Sequence, residues 1–449
     1  MKDQEPKPAT APVNLPHHMT IHWHRFAKGE ALPVTQVRLT ERATIVGRVG
    51  LMMLACGTGA WRVREAMNTI ARALGLTCSA DVGLITLEYT CFENGRHYSQ
   101  TLALPSSGVN TDRLHAMEVF VNHFEEDCTG LTVHEVHERL DAIQRRSGNF
   151  SPLQVGLASA LACAAFVFLL GGGPIEMLCA FFGAGVGNYT RRKMIDRHIT
   201  LVAHVAVSVA AACLTYFAVF KLLEMSFHIA AAHEAGYIGA MLFVIPGFPF
   251  ITSGLDMAKL DMRSGLERGT FAILTIVVAT LTGWVVAMLV QFHPENFLPL
   301  GLSFWPLLGL RIVASFCGVF GFSIMFNSPV PMATMAGLIG ALANTLRLTL
   351  SSSAGLPPAA AAFLGALLAG LLASLANRRD GYPRISLTVP AIVIMVPGLY
   401  MYRAMFNLGL SNVDVGGSWL IQAAMMVVAL PLGLAMARII TDPTWRHAD

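Results

Sequence analysis

Apolar residues are concentrated in the last two-thirds of this chain, where they form long runs. These runs begin near residue 151 and continue to about residue 440, separated by short polar loops. A helix needs about twenty apolar residues to cross the hydrocarbon core of a bilayer. The pattern predicts ten transmembrane helices, at residues 152–171, 174–189, 199–220, 229–249, 269–290, 305–326, 330–349, 358–376, 387–406 and 417–440.

The first 150 residues have a different pattern, which predicts a soluble unit. Residues 1–36 are polar and rich in proline, and this composition predicts a disordered tail. Beyond them, apolar positions at helical spacing are followed by two strand-like segments, 82–92 and 97–104. We therefore predict a small cytoplasmic α/β domain over residues 37–150.

Local signals mark where elements begin and end inside this domain. Gly75 ends the second predicted helix, and Asn94-Gly95 between the strand-like segments is typical of a hairpin turn. Thr132 and Glu135 have the spacing of a capping box, which opens the last helix. The signals predict a hairpin between two pairs of helices.

Composition supports membrane insertion and argues against several other classes. Hydrophobic residues make up 54% of the 449 residues and charged residues only 13%, which is about half the charged fraction of soluble proteins. The net charge of +3, without a basic stripe, argues against a nucleic-acid partner. The eight cysteines include no CxxC pair, and no basic start with an apolar core indicates a signal peptide.

Two histidine-rich segments raise the question of metal binding. The tail carries His17, His18, His22 and His24, and a later segment, His134–Glu138, alternates histidine with glutamate. The second segment departs from the HExxH spacing of zinc enzymes, so we interpret it as an exposed helix face. We expect no metal site and no cofactor.

The distribution of lysine and arginine predicts the orientation of the chain. If the N-terminal domain lies inside, the basic loops at 191–197, 259–268 and 378–384 also lie inside, together with the C-terminal tail. Basic residues favour the cytoplasmic side of membrane proteins. We therefore expect a multi-pass protein of the inner (cytoplasmic) membrane, surrounded by lipid, with both termini cytoplasmic.

The ten predicted spans divide into two halves, 151–291 and 300–441, with the same landmarks in the same order. An Asn-x-x-Arg pattern ends the second span of each half, starting at Asn188 and at Asn344. Because each half contains five spans, the two halves must face opposite ways across the membrane. Inverted five-helix repeats of this kind are typical of secondary transporters.

A Pro-Gly pair interrupts the fourth span of each half. Such a break frees backbone amides and carbonyls, which protein, water or a bound polar solute must satisfy. Side chains that form hydrogen bonds occur after the first break and in the second half. The predicted substrate-binding residues are Pro246, Gly247, Thr252, Ser253, Asn344, Pro397 and Gly398.

Ionisable residues within a membrane are costly and suggest a functional role. Asp256 follows the first break and Glu234 lies on its outer approach, so both are predicted proton-coupling carboxylates. Arg268 and Arg311 are predicted structural charges. Glu234 and Glu176 are the candidate partners of Arg311.

Two strings of residues carry a resemblance to a known family. The first runs from Gly57–Glu65 to Pro246-Gly247, Asp256, Gly265 and Arg268, and the second comprises Asn344, Pro390 and Val396-Pro397-Gly398. In these strings the chain resembles the threonine/serine exporter family over nearly all residues beyond 40. A run that often reads Arg-Val-Glu in that family reads Arg62-Val63-Arg64-Glu65 here.

The resemblance implies a secondary carrier and not an enzyme. It implies export of threonine, serine or similar small amino acids, driven by exchange with protons. The chain lacks a Walker-type ATP site, in agreement with a carrier driven by a gradient.

The residues alone leave two other functional classes open. A membrane-bound sensor, with the soluble domain as its output, would bind a ligand without moving it. A membrane-embedded enzyme would need catalytic residues clustered at one depth, and the sequence offers no such set. The expected partners are a small amino acid, protons and lipid, and a homo-oligomer is compatible with the sequence.

Overall fold

The computed structural model describes residues 21–27, 31–227, 236–291, 297 and 300–447. Within these residues, the first part of the chain packs helices around a three-stranded antiparallel sheet in the order β1-β2-β3. The strands are β1 (Thr77–Val82), β2 (Thr86–Glu93) and β3 (Arg96–Ala103). The helices are α1 (Leu39–Ala55), α2 (Ala60–Ala73), α3 (Thr111–Asn122), α4 (Phe124–Cys128) and α5 (Val133–Gln144).

The hairpin between β2 and β3 turns at Asn94-Gly95, as the sequence predicts. Asn94 has φ 47° and Gly95 has φ 77°, the left-handed conformations that a two-residue hairpin turn requires. β1 was not predicted, because the strand-like segment was placed at 82–92. This edge strand exposes alternate residues and buries only Val82 fully, so its hydrophobic signal is weak.

Helix α1 covers one face of the sheet at very close range. The hydroxyl of Tyr89 donates a hydrogen bond to the carbonyl of Ala43 at 2.9 Å. A Cβ atom at Gly47 would lie 2.3 Å from the Tyr89 hydroxyl, so this approach requires glycine. At the start of α5, Thr132 and Glu135 form the predicted capping box.

The predicted disordered tail, residues 1–36, contains an ordered segment that packs against the N-terminal domain. Residues Trp23–Phe26 form a short 3₁₀ helix, and the Trp23 side chain is buried. The Arg48 guanidinium lies 5.7 Å from the centre of the Trp23 ring. A cation–π contact and burial of its apolar surface stabilise the position of the tryptophan. Residues 1–20 of the predicted tail lie outside the described part of the chain.

Helices make up nearly all of the remaining structure. The first group contains α6 (Pro152–Leu169), α7 (Pro174–Asp196), α8 (Leu201–Phe227), α9 (Tyr237–Ala240), α10 (Gly247–Ala258) and α11 (Met262–Val290). The second contains α12 (Phe304–Met325), α13 (Val330–Ser353), α14 (Pro358–Asp380), α15 (Arg384–Val393), α16 (Gly398–Gly409) and α17 (Val413–Thr441).

Among the described residues, seven helices are long and apolar enough to cross a membrane, or up to nine spans if each of two bent pairs counts as one. One pair joins Tyr237–Val244 to α10 with a bend of 55°, and the other joins α15 to α16 with a bend of 48°. The second of the ten predicted spans, α7, is not in this set, since Glu176, Asn188 and a basic C-terminal end reduce its hydropathy. The chain is a predominantly helical, multi-pass membrane protein.

The two groups of helices pack in corresponding ways. α7 packs against α6 and α8, and α13 packs against α12 and α14. α8 also lies against α11, as α14 lies against α17. The groups meet through α6 and α12, where a Cβ at Gly321 would lie 2.5 Å from the Ala158 carbonyl oxygen. Small residues permit such close backbone contact between helices in lipid.

Candidate functional site

The two Pro-Gly breaks have nearly the same backbone geometry. Pro246 has φ −81° and ψ 59°, and Pro397 has φ −79° and ψ 55°. In each break, the N–H of Gly247 or Gly398 donates to the carbonyl two residues earlier, at 2.8 Å. This is an inverse γ-turn centred on proline, and it ends one helix so that α10 or α16 can begin in a new direction.

The two breaks contact each other inside the helical bundle. A Cβ atom at Gly247 would lie 1.9 Å from Cγ2 of Val393, and one at Gly398 would lie 2.1 Å from Cδ1 of Ile245. Apolar side chains surround this contact, namely Phe166, Leu242, Ile245, Phe322, Val393 and Val396. The point where the breaks meet, which we call the crossing, is therefore closed by tightly packed apolar groups.

A cavity of about 330 Å³ opens beside the first break, on the side of the N-terminal domain. We call it the proximal cavity. The first break, the end of α7 and the loop before α3 contribute to its wall. Its lining includes Ser107, Val109, Asn188, Arg191, Arg192, Pro246, Phe248 and Thr275.

A second cavity, of about 550 Å³, opens beside the second break. It lies on the other side of the bundle, because the far end of α6 contributes to its wall while the near end of α6 adjoins the N-terminal domain. We call it the distal cavity. Its lining includes Gly171, Leu307, Arg311, Arg347, Ser351, Leu399, Tyr400, Arg403 and Trp419.

The arginine of each Asn-x-x-Arg pattern lines one of the two cavities. In α7, Asn188 donates to the carbonyl of Val155 at 3.2 Å, and Arg191 lines the proximal cavity. In α13, the Asn344 side-chain oxygen accepts from Nε of Arg347 at 2.9 Å, and Arg347 lines the distal cavity. The described lining of each cavity contains arginine and neither aspartate nor glutamate, so the described walls are positively charged.

Asp256 lies outside both cavities, at the contact between α10 and the N-terminal domain. Its buried carboxylate accepts from the N–H of Ala60 at 2.9 Å and from the Ser264 hydroxyl at 2.8 Å. The same carboxylate faces Nε of Arg268 at 3.3 Å. A Cβ at Gly59 would lie 2.6 Å from it, so glycine allows the carboxylate to reach the positive N-terminal end of α2.

Arg268 completes this contact from α11. Its guanidinium donates to the carbonyl of Thr58 at 2.7 Å and to that of Gly57 at 3.2 Å. Arg64 on α2 forms a further ion pair with Asp261. We call Asp256, Arg268 and residues 57–60 the domain clamp. The string that carries the family resemblance thus fastens the N-terminal domain to the membrane helices.

The second group of helices and the C-terminal segment hold the same domain. The hydroxyls of Thr111 and Ser328 lie 2.7 Å apart, and Asn327 donates to the Asn110 side chain at 3.0 Å. The rings of Trp61 and Trp445 meet edge to face at 5.4 Å. The domain therefore contacts both helical groups on the proximal side.

The other predicted polar residues have partners within the protein. The hydroxyl of Thr252 donates to the Phe248 carbonyl at 3.0 Å, and that of Ser253 donates to Gly265 at 2.6 Å. Both side chains are buried and lie outside the lining of either cavity. Asn344 is also buried and donates to the Ser315 hydroxyl at 2.9 Å.

Arg311 and its candidate partner Glu176 each have another hydrogen-bond partner. Arg311 lines the distal cavity and donates to the Ser352 hydroxyl at 3.0 Å. Glu176, a candidate partner for it, instead accepts from the N–H of Gly173 at 2.9 Å at the start of α7. Glu234 lies outside the described residues.

Sequence reasoning missed Arg191, Arg347 and Arg403 as site residues. The repeated Asn-x-x-Arg pattern was the available signal for two of them, but only its second asparagine was assigned to the site. Arg403 follows the second break by about one helical turn and a half, and its guanidinium lies 5.0 Å from the Trp419 ring. Only the packing of α16 against α17 brings these two groups together.

The histidine segment of α5 is partly buried, unlike the exposed face that we expected. His134 and Glu138 are exposed, whereas His137 is fully buried beneath Arg48. Burial, followed by the charge of Arg48, lowers the pKa of His137 to about 3. The described residues contain no group of three or more metal-ligating side chains close enough to hold an ion.

Asp141 lies on the other side of Arg48 in the same cluster. Burial alone would raise the pKa of Asp141, but hydrogen bonds from Arg48 and His24 lower it to about 2. The cluster therefore holds an ionised carboxylate against a buried arginine and a neutral histidine, which is a structural arrangement that joins α1 to α5.

Comparison with known proteins identifies relatives over most of the chain. Two "Probable succinate transporter subunit YjjP" proteins match. The Escherichia coli protein is 25% identical over 264 residues, 56% of this chain and 96% of its own length. The Klebsiella aerogenes protein is 25% identical over 249 residues, 53% of this chain and 89% of its own. A "Probable threonine/serine exporter" of Mycobacterium tuberculosis is 23% identical over 412 residues, which are 88% of this chain and 75% of its own length.

No solved structure matches the chain at a significant level. Residues 44–291 match the family model described as "Putative threonine/serine exporter", and residues 311–440 match the model described as "Threonine/Serine exporter, ThrE". The first match alone covers more than half of the chain and contains the first break and the domain clamp. The chain belongs to the threonine/serine exporter family of membrane transporters.

Proposed function

We propose that this protein is a secondary carrier that exports a small carboxylate-bearing solute by alternating access. The observation that carries the proposal is the pair of cavities on opposite sides of one closed crossing. In this mechanism the crossing opens toward one cavity at a time. Transporter sites commonly lie where broken helices meet near the middle of the membrane.

The proposed architecture is ten spans arranged as two inverted repeats of five. The matching φ and ψ values of Pro246 and Pro397 support it, as does the similar packing within the two helical groups. In this proposal α7 crosses the membrane despite its lower hydropathy, because its polar residues face protein and the proximal cavity. Basic residues at the ends of α7 and α14 support a cytoplasmic position for both termini.

The proposed solute path uses the arginine of each cavity and the backbone of the two breaks. Arg191 would contact the solute carboxylate on the proximal side and Arg347 on the distal side. Asn344 would orient Arg347 through the hydrogen bond at 2.9 Å. Thr252 and Ser253 would contribute once α10 moves, since both now donate to carbonyls within the protein.

We propose Asp256 as a proton-coupling residue that acts through the domain clamp. Protonation would neutralise its carboxylate, and the attraction to Arg268 at 3.3 Å would weaken. The N-terminal domain would then loosen over the proximal cavity, which couples a proton to opening on that side. Glu234 is the second proposed proton-coupling carboxylate.

The relatives name two solute classes, threonine or serine and succinate. Both classes carry a carboxylate, which suits the arginines of the two cavities. The YjjP proteins are named subunits, so assembly with further copies or partners is part of the proposal for this chain.

Counterflow in proteoliposomes tests the proposed function. Vesicles that contain the full chain are loaded with threonine, serine or succinate, and uptake of the labelled solute is measured with and without a pH gradient. We expect uptake of at least one of the three and acceleration by a gradient of protons. Binding without flux for all three would contradict a carrier and favour the sensor hypothesis.

A further inference from the structure

The distal cavity contains more positive charge than a single carboxylate requires. We propose that the distal cavity is a binding site for dicarboxylates, with Arg347 holding one carboxylate and Arg311 and Arg403 holding the other. The proposal rests on the transport function above and specifies the class of solute. It favours a solute with two negative charges over a zwitterionic amino acid.

The three arginines reach one cavity from three different helices. Arg311 lies on α12, Arg347 on α13 and Arg403 on α16. Each has a contact that limits its motion: Arg311 donates to Ser352 at 3.0 Å, Arg347 to Asn344 at 2.9 Å, and Arg403 lies over Trp419. Because they belong to separate helices, their positions are set by the tertiary fold and not by local sequence.

Two of these guanidinium groups retain hydrogen-bond donors for a ligand. Arg347 uses only Nε toward Asn344, and Arg311 uses one terminal nitrogen toward Ser352. In the part of the chain that the structure describes, no carboxylate lies within 4.0 Å of either group in an ion pair. A guanidinium has five N–H donors and binds a carboxylate through two parallel hydrogen bonds.

The remaining wall of the cavity suits a short carbon chain better than an ammonium group. Leu307, Leu348 and Leu399 supply apolar surface, and Ser351 and Tyr400 supply hydroxyls. No aspartate or glutamate occurs among the lining residues that the structure describes. A zwitterion would place its ammonium group near Arg311 and Arg347, which form no ion pair with a described carboxylate, and this repulsion is unfavourable in a site of reduced dielectric constant.

An anionic lipid headgroup has charge chemistry similar to that of a dicarboxylate. The cavity opens on the distal side of a bundle that lies in lipid, so the experiment must distinguish a free solute from a headgroup. Neutral nanodiscs of phosphatidylcholine remove the anionic headgroup as a competitor. Native mass spectrometry of the protein purified from anionic lipid detects a headgroup that stays bound.

Binding of succinate to the full chain in neutral nanodiscs tests the proposal, with monomethyl succinate as a probe of nearly equal shape and one charge fewer. We expect Arg311→Gln to weaken succinate binding about tenfold, the effect of one lost charge-assisted hydrogen bond. The affinity for monomethyl succinate should change by less than about twofold. Arg311→Lys keeps the charge and should retain most of the succinate affinity.

Arg379→Gln is the matched control, because Arg379 is exposed at the end of α14 and lines neither cavity. It should leave succinate binding unchanged. Equal losses for succinate and its monomethyl ester would overturn the recognition of a second carboxylate. Retention of anionic lipid by the natural protein but not by Arg311→Gln, with no succinate binding, would overturn the solute assignment.

Transport separates this proposal from the function on which it rests. Transport of threonine without binding or transport of succinate overturns the dicarboxylate site and leaves the carrier function intact. Succinate binding with the expected dependence on Arg311, but without flux of any solute, contradicts the carrier function and supports the site. Transport of succinate that is weakened by Arg311→Gln supports both.

Discussion

The proximal and distal cavities adjoin two breaks of nearly equal geometry, yet their surroundings differ. The N-terminal domain contributes residues 106–109 to the proximal cavity and is fastened beside it by the domain clamp. The distal cavity is lined by membrane helices and their connecting loops, with arginines on three helices. The comparison shows that two breaks of the same geometry can adjoin different surroundings, the N-terminal domain in one case and a cluster of arginines in the other.

The largest expected effect comes from breaking the domain clamp. Asp256→Ala leaves Arg268, only 3% exposed, without its carboxylate partner. An uncompensated buried charge costs about 3–5 kcal/mol. We expect lower thermal stability of the full chain and faster cleavage by trypsin at Arg145 and Arg146, between the domain and α6.

Asp196→Ala is the control for the clamp, because Asp196 is an exposed carboxylate at the end of α7. The double variant Asp256→Ala with Arg268→Leu should recover part of the stability, since it removes the unpaired charge as well. If Asp256→Ala behaves like Asp196→Ala, the domain is held over the proximal cavity by other contacts.

The next effect concerns the crossing, which both cavities share. Gly247→Ala places a Cβ 1.9 Å from Val393, a branched side chain with little freedom, whereas Gly398→Ala meets the flexible end of Ile245 at 2.1 Å. Overpacking costs about 1–3 kcal/mol. We expect solute counterflow to fall at least about tenfold for Gly247→Ala and less for Gly398→Ala.

Gly417→Ala is the matched control for the crossing, because its added Cβ meets no atom within 4 Å. Its counterflow rate should equal that of the natural protein. Unchanged counterflow in Gly247→Ala would show that the crossing tolerates extra volume and does not gate transport.

A smaller effect concerns pH and the domain that covers the proximal cavity. The pKa of His137 is lowered to about 3 in the folded domain, so the unfolded state binds a proton more readily as pH falls below about 6.5. Stability is therefore lost with falling pH, by about 2 kcal/mol at pH 5. The ionisable side chains around it are Arg48, His24, His134 and Asp141.

Hydrogen exchange of α1 and α5 peptides at pH 7 and pH 5 measures this loss of stability. His137→Gln should reduce the difference between the two pH values, while His134→Gln, which alters an exposed side chain, should preserve it. Equal pH dependence in both variants would assign the effect to another group.

The smallest expected effect distinguishes the proximal cavity from the distal cavity. Arg191→Gln removes a cation from the proximal cavity alone, so the apparent affinity for a carboxylate solute presented on that side should fall about tenfold. The affinity on the distal side should stay the same. Counterflow with solute on one side at a time measures both values, and Arg197→Gln, outside both cavities, is the control. A loss on both sides would indicate one continuous site.

Features that depend on neighbouring residues were predictable from the sequence. The Asn94-Gly95 hairpin, the Thr132-Glu135 capping box and both Pro-Gly breaks depend on local backbone preferences. The edge strand β1 and the buried Trp23 were missed, because contacts with distant residues stabilise them. Trp23 packs against Arg48 and lies 6.3 Å from the ring of His137, over a hundred positions away.

The site was less predictable than the fold, because its groups meet only after folding. The sequence predicted Asp256 to be a proton-coupling carboxylate, but it could not predict the contact with Ala60, which spans 196 positions. Thr252 and Ser253 follow the first break closely, yet helical geometry directs them toward carbonyls within the protein. Sequence distance from a break does not determine which side chains face a cavity.

By itself, the sequence determined that this is a helical membrane protein with two breaks and repeated Asn-x-x-Arg patterns. Long apolar runs must avoid water, and a Pro-Gly pair must interrupt the hydrogen bonds of a helix. Only the tertiary structure decided that the breaks meet at an apolar crossing and that three arginines share the distal cavity. It also brought Asp256 to the N-terminal domain. These contacts depend on the packing angles of separate helices, which no local pattern encodes.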